Sequence, residues 1–243
     1  MVHRVNLKDL DDVRKFYKLA SAEPQEDGYA VLLDGRMLKT KAAKQMVLPT
    51  NELAEAIAEE WAKQGEKIDP LTMPMMIFAS TALDLIAGNC TAKAAEISKY
   101  GETDLICYYA AGPDDLTARQ RAAWEPIHVW VKEELNAPLH STDGIIAVAQ
   151  PDESIQNLRN QLNAMDHWQI AAMQELVSIT GSLVISLGLA KGHLTPVQAI
   201  EATQIEENFQ AENWGEDEEE AEARGQKSQD LKSAVNFLLL LAK

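Results

Sequence analysis

The spacing of hydrophobic and polar residues changes near residue 50. Before that point, residues 29–40 alternate in part on either side of Asp34-Gly35, a pair typical of two-residue hairpin turns because both turn positions need a positive φ. Another strand is expected at residues 45–48, and residues 1–20 are expected to form an edge strand or a docked arm. This predicts a small β-rich module, which must pack on other elements because an isolated hairpin is marginal in water.

From residue 50 onward the pattern is helical. Thr50 is a good N-cap, Leu53, Ile57 and Trp61 follow at spacings of four, and Gly65 is expected to end the helix. Residues 75–87 are apolar nearly all round, which predicts a buried helix. Thr91 is expected to cap the next helix, which would end near residue 100.

The second half of the chain predicts more helices. Residues 116–135 form one that Pro126 should kink or split, and residues 139–150 form a connector with a possible short strand. Helices follow at residues 152–165 and 166–190; Gly181 and Gly188 inside the second are expected to allow close packing. Thr195, Pro196 and Gln198 start a helix reaching to about residue 213, and Leu231, Val235 and Leu238 share a face of the last one.

These elements predict an α+β fold. A β-rich N-terminal domain occupies residues 1–50, and a larger, mainly helical domain occupies residues 51–243. A chain of 243 residues is long enough to bury a core in each.

The charge of the chain limits the classes of partner that it is expected to bind. The net charge is −16, and residues 1–50 carry nine Lys and Arg against seven Asp and Glu, so the remainder carries −18. Such a surface repels nucleic acid and anionic lipid, and it favours a basic protein partner or serves solubility alone. No apolar run approaches the roughly 20 residues of a membrane helix.

The N-terminus and the cysteines indicate a cytoplasmic protein. Residues 1–19 mix basic and acidic side chains and lack the apolar segment of a secretory signal. Cys90 and Cys107 both lie in segments predicted to be buried, so we expect reduced thiols.

Candidate catalytic chemistry is sparse. The five histidines lie in no metal-binding spacing, and no nucleophile elbow, phosphate loop or dinucleotide motif occurs. His140, Ser141 and Asp143 are close in sequence, but that does not define a triad. Paired glutamates on helices are typical of solvated faces. We therefore expect no catalytic residue, cofactor or metal.

Three ordered segments resemble the ATP12 family of F1-ATPase assembly chaperones. They are LPTNELAEAIAEEWA at residues 48–62 with PLTMPM at 70–75, DLICY at 104–108 with Leu116, Gln120, Trp124, Pro126, Ile127 and Trp130, and EENFQAENWG at 206–215. The resemblance covers residues 25–222. Beyond Gly215 this chain has DEEEAE at residues 217–222, where the family usually has an Ala-His-Asp segment.

The resemblance implies an ATP12-like fold and a chaperone that binds the free α subunit of F1. It would shield the α-subunit interface until the β subunit replaces it, without a cofactor. The implied partner-binding residues are Glu206, Glu207, Gln210 and Trp214. A carboxylate on a rigid helix can pair with an arginine of a partner, and a monomer would suit this role.

Two other classes of protein remain open. One is a small-molecule hydrolase or lyase on the helical domain, which would need a deep pocket where histidine and carboxylate groups converge. The other is a general acidic adaptor, which would show no preference for an F1 subunit.

Overall fold

The structure is a computed structural model that describes residues 13–215 and 217–242. Most of the N-terminal arm predicted for residues 1–20 lies outside them. The described chain has the predicted α+β class: a small antiparallel sheet precedes a mainly helical region. It divides into two compact units. One holds the described residues up to Cys90, Asp166–Ala172 and the residues from Ser233; the other holds Thr91–Met165 and the described part of Met173–Lys232.

The sheet of the first unit is organised around its second strand. Its strands are β1 (Ala20–Gln25), β2 (Gly28–Leu33), β3 (Arg36–Met37) and β4 (Val47–Leu48). Strand β2 pairs antiparallel with each of the other three. Asp34 and Gly35 link β2 to β3 with φ values of 48° and 75°, which confirms the predicted hairpin turn.

Strand β1 was not predicted, because its sequence ASAEPQ contains too few apolar residues to show an alternating pattern. Tertiary hydrogen bonds fix the residues that lead into it. The Asp34 carboxylate accepts hydrogen bonds from the backbone N–H groups of Lys18 and Leu19, at 3.0 and 2.9 Å. These bonds lower the pKa of Asp34 because they stabilise its charged form.

Helix α1 (Asn51–Ala62) packs on this sheet and confirms the predicted N-cap. The Thr50 hydroxyl accepts a hydrogen bond from the Leu53 N–H at 3.3 Å. The predicted apolar stripe is buried, including Ile57 and Trp61. The Tyr17 hydroxyl donates to the Trp61 carbonyl at 2.7 Å and holds the incoming chain against the helix end.

The predicted buried helix at residues 75–87 is present in two parts. Helix α2 (Pro74–Thr81) continues into a wider π-helical turn, Ala82–Ile86. Both oxygens of Glu60 accept backbone hydrogen bonds at the start of α2, from Met75 at 2.7 Å and Met76 at 2.9 Å. Burial nevertheless raises the pKa of Glu60 to about 7. Helix α3 (Cys90–Ser98) follows; it begins one residue before Thr91, so the predicted cap at Thr91 is wrong.

The second unit is built around one long helix. Helix α4 (Asp114–Leu135) continues through Pro126, which does not split it. The short strand predicted within residues 139–150 is confirmed as β6 (Thr142–Asp143), which pairs parallel with β5 (Tyr108–Tyr109). Helix α5 (Asp152–Asn163) follows.

The single helix predicted for residues 166–190 is wrong. The chain forms α6 (His167–Thr180) and α7 (Leu183–Ala190), separated at Gly181 with a φ of 63°. The Ser182 hydroxyl caps α7, and the buried carboxylate of Asp104 accepts a hydrogen bond from the Val184 N–H at 3.0 Å. Burial raises the pKa of Asp104 to about 6. Gly188 does support close packing, since a Cβ there would lie 3.0 Å from the Leu194 side chain.

The helix predicted from Thr195 to about residue 213 is also interrupted. Thr195 and Gln198 form the predicted capping box at the start of α8 (Pro196–Thr203). The chain then breaks at Gln204 and resumes as α9 (Ile205–Trp214). Glu206 therefore lies in the first turn of a short helix, not three turns into a long one.

Helix α10 (Glu218–Leu241) is the last element. Its fully buried face contains Leu231, Ala234 and Phe237, whereas the predicted Val235 and Leu238 are only partly buried. Within the described residues, no single helix is long and apolar enough to cross a membrane, although one bent pair, Pro74–Ile86 with Cys90–Cys107, has the length and composition. The domain boundary after residue 50 stays a prediction.

Candidate functional site

Helix α9 carries all four residues that the sequence singled out. Glu206, Gln210 and Trp214 follow one another at spacings of four, so they share one face of the helix, and Glu207 lies at the edge of that face, about 100° from Glu206 but about 20° from Trp214. All four are exposed, and the Trp214 side chain is 75% accessible to solvent. The opposite side of α9 is buried through Ile205 and Phe209. The helix is thus anchored on one side and presents a polar and aromatic surface on the other.

The break at Gln204 affects the electrostatics of this surface. The first backbone N–H groups of a helix have no partner within the helix, and its N-terminus carries a partial positive charge. No side chain caps α9 at Gln204. Glu206 and Glu207 lie in this first turn, where the helix dipole stabilises a carboxylate.

A buried glutamine fixes the carboxylate of Glu206. Gln120 of α4 is fully buried, and its Oε1 accepts a hydrogen bond from the Ala110 N–H at 2.7 Å. Its Nε2 donates to Oε1 of Glu206 at 2.8 Å. Within the described residues, the Glu206 side chain makes this hydrogen bond through Oε1. Its second carboxylate oxygen, Oε2, is available to a partner. The sequence placed Gln120 only within the family resemblance and missed its contact with Glu206, since the two residues are 86 positions apart.

The aromatic end of α9 is packed against the same long helix. The Arg119 guanidinium lies over the Phe209 ring at 5.4 Å and pairs with Glu212 at 2.7 Å. The Trp214 ring lies edge-on to Phe209, with centroids 6.4 Å apart. These contacts restrict an indole that is otherwise exposed, and exposed tryptophan is common at protein interfaces.

Glu207 is placed differently from Glu206. Its Oε1 lies 3.9 Å from Nζ of Lys227 on α10, a solvent-exposed ion pair of small energetic value. The next residue, Asn208, accepts a hydrogen bond from Arg224 at 2.6 Å, also from α10. Glu207 therefore contacts α10, whereas Glu206 is held by Gln120 of α4.

Trp124 supports the site by binding the end of α8, the helix that precedes α9. Its Nε1 donates to the Ala202 carbonyl at 2.8 Å, which joins α4 to the last turn of α8 just before the break. Its ring lies 5.4 Å from that of Tyr109. Since Trp124 and Gln120 are four residues apart on α4, one face of that helix holds both α8 and the start of α9.

The second unit has a shallow depression of about 400 Å³ that is lined by His128 and Glu125. Because it brings a histidine and a carboxylate together, it is the candidate location for an enzyme active site. The His128 Nε2 lies 2.8 Å from the Ile106 carbonyl, so it must carry the proton and donate. Glu125 lies 3.8 Å from Arg121. Within the described residues no group of His, Cys, Asp and Glu is arranged to hold a metal ion.

Comparison with known proteins agrees with the sequence resemblance. The family described as ATP12 chaperone protein matches residues 14–132. The mitochondrial protein atp12 of Schizosaccharomyces pombe is 28% identical over 242 residues, covering 95% of this chain and 82% of that protein.

Two crystal structures share the fold. Atp12 from Paracoccus denitrificans is 38% identical, with a TM-score of 0.89 over 94% of this chain and 98% of its own. A protein of Agrobacterium tumefaciens is 35% identical, with a TM-score of 0.90 over 94% of this chain and 86% of its own.

A chain with this fold and these relatives is an assembly chaperone and not an enzyme, as predicted. It belongs to the ATP12 chaperone family, which is implicated in F1-ATPase assembly.

Proposed function

We propose that this protein binds the free α subunit of F1 as a monomer and shields the surface that the β subunit later covers. The contact is made by the exposed face of α9, with Glu206 at its centre and Gln210 and Trp214 beside it. Glu207 supports the negative potential of the face, although it is turned towards α10.

The observation that supports this proposal most strongly is that a hydrogen bond orients the carboxylate of Glu206. An exposed glutamate side chain normally samples many rotamers, and ordering it on binding costs free energy. The hydrogen bond from the buried Gln120 restricts Glu206 before the partner arrives. A pre-oriented carboxylate with one open oxygen is suited to accept a hydrogen bond from an arginine of the partner.

The surrounding charge and the tryptophan suit a protein partner. A net charge of −16 attracts a basic surface and repels nucleic acid. A charge pair that loses water at an interface also discriminates against wrong partners, because an unpaired buried charge is costly. Trp214 adds a large apolar contact next to that pair.

The test is a binding measurement with purified F1 α subunit. We expect Glu206→Lys to weaken binding by about tenfold or more, since it places a like charge opposite the partner's basic group. Suppression of α-subunit aggregation, followed by light scattering, should fall in parallel.

Glu201→Lys is the matched control, because Glu201 is also exposed and lies on the adjacent helix α8. This control should bind the α subunit almost as well as the original protein. Equal losses in both variants would reduce the effect to overall charge and contradict a specific role for Glu206.

A further inference from the structure

Two adjacent isoleucines of the second unit are exposed in the loop that follows β6. Ile145 is 98% and Ile146 is 76% accessible, and they are the only neighbouring pair among the large apolar side chains that the described residues expose. Burying such a side chain is favourable because it removes apolar surface from water. Single exposed apolar residues are ordinary, whereas a contiguous pair at a loop tip is typical of an interaction surface.

The base of this loop is closed by a pair of reciprocal hydrogen bonds. The backbone N–H of His140 donates to Oε1 of Gln150 at 2.8 Å, and Nε2 of Gln150 donates to the His140 carbonyl at 2.9 Å. Nδ1 of His140 also lies 3.1 Å from the Ala149 carbonyl. The residues between these two positions therefore project from a fixed base, as in compact surface loops that carry functional residues.

Hydrogen bonds also hold the N-terminal side of the loop. The Gly144 N–H donates to the Tyr109 carbonyl at 2.7 Å, and Gly144 has a φ of 87°, which lets the chain leave the strand direction before the isoleucines. Asp143 accepts a hydrogen bond from Arg121 at 3.2 Å, and the Arg121 guanidinium lies over the Tyr109 ring at 4.7 Å. The charges of Arg121 and Asp143 are thus paired with each other at the base of the loop, and the tip of the loop is apolar.

The loop and Glu206 share their supports. Tyr109 holds Gly144, and the next residue, Ala110, holds Gln120, which donates to Glu206. On α4, likewise, Gln120 contacts Glu206 and the next residue, Arg121, contacts the loop. A protein interface of ordinary size covers about 800 Å² on each partner, or a patch about 30 Å across. One partner can therefore contact both features.

We propose that the 142–150 loop is a second contact for the same F1 subunit, in which Ile145 and Ile146 bury themselves against apolar surface of the unassembled client. The inference rests on the proposed function. A subunit awaiting its neighbour exposes apolar interface that a purely acidic surface cannot cover, because buried charges need partners. Glu206 then selects and orients the client, and the isoleucine pair supplies apolar burial.

The test compares two asparagine variants in binding to purified F1 α subunit. The double variant Ile145→Asn, Ile146→Asn removes the apolar tip, and we expect its affinity to fall by about tenfold to a hundredfold. The control is Leu71→Asn, since Leu71 is 79% exposed in the first unit and should leave the affinity unchanged. Because these side chains are exposed, circular dichroism and the melting temperature should stay the same in both variants.

Three results would overturn the proposal. The first is an isoleucine variant that keeps full affinity while Glu206→Lys loses it, which refutes the loop contact and leaves the proposed function standing. The second is an original protein that is a dimer in solution and becomes a monomer in the isoleucine variant, which makes the loop a contact between copies. The third is the absence of any α-subunit binding by the original protein, which removes the proposed function as well.

Discussion

Gln120 is a buried side chain whose amide uses both its acceptor and its donor. It accepts from the Ala110 N–H and donates to Glu206, so it links the backbone after β5 to the exposed face of α9. A buried polar group of this kind is costly unless it is satisfied, and satisfied groups restrict their partners. Gln120 thus positions Glu206 without being exposed to a partner itself.

This positioning can be separated from a purely structural role with a double-mutant cycle. Gln120→Met keeps the side-chain volume but leaves the Ala110 N–H without its acceptor, so we expect about 1–3 kcal/mol less stability. In otherwise unchanged protein it should also weaken α-subunit binding several-fold, because Glu206 loses its orientation. In a Glu206→Ala background the same substitution should leave binding unchanged.

The control within this cycle is the loss of stability, measured by urea denaturation in both backgrounds. That loss should be similar with and without Glu206, since most of it arises at Ala110. If Gln120→Met weakens binding equally in both backgrounds, it acts through general loosening of the fold, and the positioning role is refuted.

At the scale of elements, the break between α6 and α7 depends on one backbone conformation. Gly181 has a φ of 63°, which costs an L-residue with a Cβ roughly 1–2 kcal/mol. The break allows Ser182 and Asp104 to satisfy N–H groups at the start of α7. We expect Gly181→Ala to lower the free energy of unfolding by about 1 kcal/mol and Gly181→Asn to lower it less, because asparagine tolerates this conformation.

Gly225 offers a control of opposite sign. It lies inside α10, is exposed, and has open space around the position of a Cβ. Gly225→Ala should therefore stabilise the protein by about 0.5–1 kcal/mol. Urea denaturation curves measure both changes. Two changes of the same sign and size would contradict the role of the positive φ at Gly181.

The same elements show how far the sequence predicts the fold. The hairpin at Asp34-Gly35 and the caps at Thr50 and Thr195 have local chemistry that determines them, and each was predicted. The break at Gly181 was not, since a glycine in an apolar run fits either a packed helix or an interruption. No residue near Gln204 indicates a helix break in the sequence. The break is accompanied by a tertiary contact, in which Trp124 Nε1 donates a hydrogen bond to the Ala202 carbonyl.

The candidate site was predictable only in part for the same reason. The resemblance indicated Glu206, Glu207, Gln210 and Trp214, and the structure places all four on the exposed side of α9. The hydrogen bond from Gln120 and the turn of Glu207 towards α10 follow from packing between distant segments. The exposed isoleucines could not be recognised either, because an apolar run in a connector is consistent with a buried strand.

At the scale of the whole molecule, an acidic composition is combined with exposed apolar side chains that are mostly isolated along the described part of the sequence. The net charge of −16 keeps the free protein soluble and limits its association with other acidic surfaces. In the proposed function, affinity for the client comes from Glu206 and Trp214 on α9 together with the apolar pair Ile145 and Ile146. We propose that the protein holds an unassembled α subunit and releases it when the β subunit covers the same surface.

The most direct test of this account is the mass and composition of the complex formed with F1 α subunit, before and after β subunit is added. We expect a one-to-one complex with free α subunit that β subunit dissociates as α–β contacts form, and no binding to α subunits already assembled in F1. A protein that binds assembled F1 as tightly as free α subunit, or that stays bound when β subunit is added, would contradict the account.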